Sequence, residues 1–194
     1  MKLIIKITII LLFCMNLNAR EKGETEITTE DGIEVFQNEK YYLLKKNVKI
    51  ESDNFILKAY DVKINFENSL YDIIELNAEG NVEFNSPEFN ITGSGENLQF
   101  EVKIEKLKVK GMNSKVVTEE IEMFSDGSIE INNLTGKFSV KGRNSKLINE
   151  TVLIKGETIN GIFSNNTGKK EITFLNVIDE NISYVKNNDT EMYA

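Results

Sequence analysis

From Ile33 to Tyr184 apolar and polar residues alternate almost without interruption, and no other feature of the chain constrains its fold so tightly. A period of two sends every second side chain to the same face of an extended strand. Helical spacing is nearly absent. The clearest runs are Val48, Ile50; Phe55, Leu57, Ala59; Val62, Ile64, Phe66; Ile74, Leu76, Ala78; Val82, Phe84; Phe89, Ile91, Gly93; and Leu98, Phe100, Val102, Ile104. The pattern continues through Leu107, Val109; Ile121, Met123; Ile129, Ile131; Phe138, Val140; Val152, Ile154; and Ile172, Phe174. Turn signals such as Glu79-Gly80-Asn81, Asp126-Gly127 and Asn166-Thr167-Gly168 separate the runs. The spacing predicts an all-β chain of short antiparallel strands, each with one dry and one wet face.

A repeat reinforces this. NVKIESDNFILKAYDV (47–62) recurs as NVEFNSPEFNITGSGENL (81–98), so that Val48, Phe55 and Ala59 stand 34 residues before Val82, Phe89 and Gly93. A looser copy is SIEINNLTGKFSVKGRNSKL (128–147). Repeats of this length indicate stacked supersecondary units. The prediction is an elongated β-roll, or open-ended jelly roll, with an unpaired strand edge at each end.

The 194 residues fit one domain. Residues 1–19 read as a signal peptide: Lys2 and Lys6 give a charged start, an apolar run extends to Leu17, and Ala19 is a small cleavage residue. The run is short for a bilayer span, which needs ~20 apolar residues; an uncleaved anchor is the alternative. A flexible lead (20–32) and one β-roll domain (33–194) would follow. The chain stops at TEMYA (190–194), which looks like the start of another strand step. It either ends on a short edge or is cut short.

Cys14 lies in the apolar run after bulky Phe13, so a lipoprotein cleavage site is not expected, and the mature chain has no cysteine. Disulfides, thiolate metal sites and cysteine nucleophiles are thereby removed. No histidine occurs, which excludes a Ser-His-Asp triad and histidine-ligated zinc. The chain carries 31 acidic against 23 basic residues, a balance that repels nucleic acid and anionic membranes. The Asn-x-Ser/Thr triplets at Asn90, Asn133, Asn149, Asn165, Asn181 and Asn188 follow from an Asn-rich composition.

DGIEVFQNEKYYLLKKNVKI (31–50) resembles the opening of the periplasmic lipopolysaccharide-transport proteins of the LptA or OstA-like family. ILKAYDVKINF (56–66) is similar to that family's next strand step, and LNAEGNVEF (76–84) to its recurrent Ala-x-Gly-Asn-Val element. The resemblance covers about 32–100; beyond Glu101 only the rhythm persists, with VIDENISYV (177–185) as a degenerate echo. LptC, the membrane-anchored relative in the same pathway, is the nearest rival within the family, and the short leader favours LptA.

The resemblance implies a periplasmic carrier with a V-shaped, partly open β-roll whose interior shelters lipopolysaccharide acyl chains. The groove residues it implies are Phe55, Leu57, Ile64, Phe66, Leu76, Phe84, Phe89, Ile91, Leu98 and Phe100. Partner edges would lie near Ile33 and Val35, meeting an inner-membrane complex. At the far end, Ile182 and Tyr184 would meet another copy or an outer-membrane receptor. No catalytic residue, cofactor or metal is implied.

Plainer readings stand beside these. Alternating apolar residues are by default ordinary core, which would make the chain a structural exported β-solenoid with a closed interior. Carboxylate pairs such as Asp61 with Glu67, or Glu119 with Glu120, occur in glycosidases, but chance proximity is expected among so many acids. Gly93-Ser94-Gly95 lacks the third glycine and following helix of a nucleotide loop. Neither Gly136-Lys137 nor Gly168-Lys169 belongs to a P-loop. Lys45, Lys46, Lys106, Lys108 and Lys110 fit a solvated strand face as readily as lipid phosphates.

Overall fold

A strand with one dry face needs a second layer to bury it, and this chain supplies that layer by bending its own strands. The computed structural model describes residues 23–164, 171–179, 184–187 and 190–193, the last two stretches as backbone strands. The leader at 1–19, Ile182 and the Asn166-Thr167-Gly168 turn lie outside these residues.

The strands are β1 (Glu26–Thr28), β2 (Ile33–Phe36), β3 (Tyr41–Glu51), β4 (Ile56–Phe66), β5 (Ile73–Ser86) and β6 (Ile91–Glu101). After a single 3-10 turn at Val102–Ile104 come β7 (Lys106–Lys110), β8 (Ser114–Val117), β9 (Glu122–Ser125), β10 (Ser128–Asn132), β11 (Lys137–Lys141) and β12 (Lys146–Ile148). The set closes with β13 (Val152–Lys155), β14 (Thr158–Ser164), β15 (Glu171–Ile178), β16 (Tyr184–Asn187) and β17 (Thr190–Tyr193). All pairings are antiparallel, and they join into one 17-stranded sheet. The all-β roll expected from the alternation is the fold.

The sheet is folded along a corner into two facing walls. β3, β4 and β5 cross the corner within a single strand, and their register slips there, between Lys45 and Val48, Lys58 and Asp61, and Glu79 and Val82. Such bulges bend a strand without ending it. Glu79-Gly80-Asn81 is therefore a bend inside β5 and not the turn its residues suggest. Residues that tolerate positive φ serve either purpose, and Gly80 (φ 77°) and Asn81 (φ 49°) both adopt it.

Further along the chain the corner separates short strands. The segments KLKVKGMNSK (106–115) and KFSVKGRNSK (137–146) build equivalent corners. Gly111 and Gly142 have φ of 122° and 124°, and Asn113 and Asn144 have 56° and 57°. The Ser114 hydroxyl donates to the Gly111 carbonyl at 2.8 Å and the Ser145 hydroxyl to the Gly142 carbonyl at 2.6 Å.

Two rows of inward side chains run straight across the strands. In the first wall, cross-strand pairing links Leu44, Val62, Ala78, Leu98, Val109, Ile129, Val140 and Ile159, all buried. In the second, it links Ile50, Leu57, Phe84, Gly93, Val116, Met123, Leu147 and Ile154. At roughly 1.5–3 kcal/mol for each fully buried large apolar side chain, these rows hold the walls together.

The lead at 20–32 is not wholly without structure, because Glu26–Thr28 pairs with the end of β3. β1 and β2 form the edges at this end, and Ile33 and Val35 are 51% and 52% exposed. At the far end Tyr184 lies in β16, which pairs with β13 on one side and β17 on the other. The outer strand there is β17, one strand beyond the predicted edge.

Candidate functional site

Away from the corner the walls diverge, and a cleft of about 780 Å³ opens between them at the N-terminal end. One side is a second inward row of the first wall, in which Val35, Tyr42, Ile64, Leu76, Phe100, Leu107 and Ile131 pair in succession. All seven line the cleft. Seven strands at about 4.8 Å each span roughly 29 Å. The other side comes from the second wall: Ile27, Ile50, Phe84 and Ile91 from its strands, and Phe55 and Phe89 from successive turns at its rim. Those two phenylalanines are the pair related by the 34-residue repeat.

The cleft has a definite inner end. Past Ile131 the row continues with Phe138, which is buried and stacks on Phe163 with ring centroids 4.4 Å apart.

Of the ten predicted groove residues, Phe55, Ile64, Leu76, Phe84, Phe89, Ile91 and Phe100 line the cleft. Leu57, Phe66 and Leu98 do not; they are buried in the packed core. Leu98 shares the cleft residues' strand face but lies in the row nearer the corner, whereas Leu57 stands between Ile50 and Phe84 in the second wall's row and is covered by its neighbours. Ile33 and Val35, predicted as partner-edge residues, also line the cleft. Sequence reasoning missed Tyr42, Tyr71 and Ile131. Tyr42 and Ile131 follow the alternation, whereas Tyr71 sits in a loop and carries no periodic signal.

The chemistry of the cleft is apolar. Burial raises the Tyr42 phenol above its ordinary pKa, so it remains neutral. The charged residues that line the cleft are Glu88 and Glu105. Among the described residues no buried side-chain polar atom lacks a hydrogen-bond partner, and no three His, Cys, Asp or Glu side chains converge as a metal site. Such a surface suits methylene chains, not a group that needs hydrogen bonds.

A second concavity, on the outer face at the corner, is polar. Lys115 and Lys146 lie 4.9 and 4.4 Å from the centroid of the Phe124 ring. Asp126, Glu157 and Asp179 line the same space, so both signs of charge are present.

No protein-family model matches the chain, and no curated protein does. Among solved structures, the fold is similar to LptH, the LptA-homologous periplasmic component of the lipopolysaccharide transport device of Pseudomonas aeruginosa. The TM-score is 0.48 at 12% sequence identity, over 57% of this chain and 76% of that one. Fold and cleft together define an open β-roll with an apolar groove.

Proposed function

We propose that this protein is a periplasmic lipid carrier that shelters the acyl chains of lipopolysaccharide on their way to the outer membrane. The observation that carries the reading is the cleft, in which a continuous apolar row across seven strands faces the second wall over about 780 Å³ of space. The family resemblance of residues 31–50, 56–66 and 76–84 supplies the cargo.

Burial is worth ~0.8 kcal/mol per methylene, so one fourteen-carbon chain crossing water unsheltered costs on the order of 10 kcal/mol. A surface lined evenly by Ile, Leu, Val and Phe offers each position about the same affinity, which lets a chain slide without a deep trap. The edge strands β1 and β2 would extend the sheet onto an inner-membrane complex by strand addition. β15 and β17 would do so onto another copy or an outer-membrane receptor. The competing reading is a purely structural exported roll, and the buried, stacked Phe138–Phe163 pair next to Ile131 favours it.

Site-specific photocrosslinking in cells making lipopolysaccharide separates the two. A photoreactive residue at Phe55, Phe84 or Phe100 should capture lipopolysaccharide. The same residue at Lys63, on the outer face, or at Leu98, in the packed core, should not. Absence of adducts at all three phenylalanine positions in a folded, exported protein would leave the structural roll as the better account.

A further inference from the structure

We infer that the first-wall lip of the cleft's mouth is a membrane-docking rim, whose apolar loop tips enter a zwitterionic phospholipid bilayer and join the cleft to its acyl layer. The inference rests on the lipid-carrying reading and names the surface at which the cleft loads or unloads.

Three loops form this lip, at the ends of first-wall strands opposite the corner: residues 67–72 between β4 and β5, 102–105 between β6 and β7, and 133–136 between β10 and β11. Among the described residues, five of the eleven exposed large apolar side chains stand on them: Leu70, Tyr71, Val102, Ile104 and Leu134. Tyr71 is 94% exposed and Leu134 59%, so neither serves the core. Large apolar side chains gathered on one edge mark an interaction surface.

The lip is built to hold them out. In the first loop the Glu67 N–H donates to the Asp72 carbonyl at 2.9 Å, and in the third the Asn132 side chain accepts the Thr135 N–H at 2.8 Å. Between loops, Lys103 pairs with Glu67 at 2.5 Å, and Asn133 donates to Glu105 through its backbone N–H at 3.0 Å and its side-chain amide at 2.7 Å. The loops are thereby tied into one row that crosses four strand spacings, about 19 Å.

The occupant follows from where the row leads. Leu70, Tyr71 and Val102 also line the cleft, so an apolar phase seated on the tips is continuous with the cleft interior. An acyl chain would pass between the two without crossing water. A single row of tips is narrower than the patch of about 800 Å² per partner that a stable protein interface covers. Apolar tips with a tyrosine among them suit the boundary layer of a bilayer, where one end of the phenol is dry and the other wet. The chain's acidic balance opposes an anionic surface, and a zwitterionic one carries no such penalty.

The chain has no tryptophan, so Leu134→Trp places a single reporter on the lip, at a residue that does not line the cleft. Mixed with sucrose-loaded phosphatidylcholine vesicles, the exported protein should sediment, and bromine-labelled acyl chains should quench this tryptophan. Lys58→Trp, on the exposed outer face of the second wall, should sediment and stay unquenched. I104S/L134S, with both positions outside the cleft lining, should lower vesicle partitioning by roughly tenfold. The same variant should still bind N-phenyl-1-naphthylamine, a fluorescent apolar dye, in the cleft and release it to competing amphiphiles.

Failure to sediment, equal sedimentation of I104S/L134S, or quenching no greater at position 134 than at 58 would overturn the docking inference, while dye binding would leave the lipid reading intact. A lipid-free dimer that I104S/L134S dissociates would assign the lip to a second copy and overturn it as well. Failure of the unaltered protein to bind the dye would remove the lipid reading, and the inference with it.

Discussion

The ring of Phe138 covers Gly161 on the neighbouring strand. The two residues are direct cross-strand partners in β11 and β14. A Cβ built on Gly161 would stand 2.2 Å from the ring's Cζ atom and 2.8 Å from the Phe174 carbonyl oxygen. The second wall repeats the device: Phe84 pairs with Gly93, whose Cβ would fall 2.5 Å from the Phe84 ring and 2.5 Å from the Lys115 carbonyl. An aromatic ring that covers a strand glycine shields the bare backbone there and fills the space a side chain would take. At Phe138 the covered pair also marks the inner end of the cleft.

Gly161→Ala should overpack this site and destabilise the protein by about 1–3 kcal/mol. Urea denaturation measures the loss. In a Phe138→Leu background the same alanine should cost less, because the clashing ring is gone, and strict additivity of the two changes would contradict the contact.

Ser125 is buried at the corner, where its hydroxyl donates to the Lys141 carbonyl at 2.6 Å and accepts the Gly127 N–H at 3.0 Å. Its oxygen is also 3.3 Å from the Ser145 hydroxyl. Ser125→Ala leaves the half-buried Gly127 N–H and the Lys141 carbonyl without this partner and should cost about 1–3 kcal/mol. Hydrogen exchange at the Gly127 amide should accelerate more than exchange at amides in β3 or β4.

Glu75 holds its carboxyl below the usual carboxylate range. The side-chain amide of Gln99, at 2.6 Å, is the main cause; burial acts in the opposite direction, and Asn65, at 2.7 Å, adds to the lowering. A depressed folded pKa contributes stability that is present above the unfolded value of about 4.3 and is lost as the pH falls through the folded value. Glu75→Gln should therefore be less stable than the native protein at pH 7, with the difference shrinking below about pH 4. A difference independent of pH in thermal melts would show that the carboxylate's charge contributes nothing.

Tyr71 is the most exposed large apolar residue at the mouth. Tyr71→Ser should change stability by less than about 0.5 kcal/mol, yet weaken amphiphile binding measured by dye displacement. Unchanged binding would remove the apolar lip from the carrier reading.

Much of the architecture is written in the alternation of residues. Leu76, Phe84 and Phe100 were placed on the dry face by period alone, and they line the interior. The repeat is less legible. The match between KLKVKGMNSK and KFSVKGRNSK is closer than the 34-residue repeat and marks two equivalent corners, but alternation draws attention to apolar residues, whereas a corner is specified by Gly, Asn and Ser. Gly80 and Asn81 illustrate the opposite limit. Their tolerance of positive φ says that the chain changes direction, while the length of β5 on either side says that pairing continues.

A period of two assigns each side chain to one face of its strand because that geometry is local to the backbone, and so the all-β class and most of the core follow from residue order. Depth is a different quantity. Leu57 and Phe84 share a face and are direct partners across β4 and β5, yet Leu57 is sealed and Phe84 lines the cleft. What separates them is what packs over each: the shorter leucine lies wholly under its neighbours, while the longer phenylalanine ring reaches the cleft. Bulges and long-range register decide how the two walls pack over each residue, and the period within a strand reports neither.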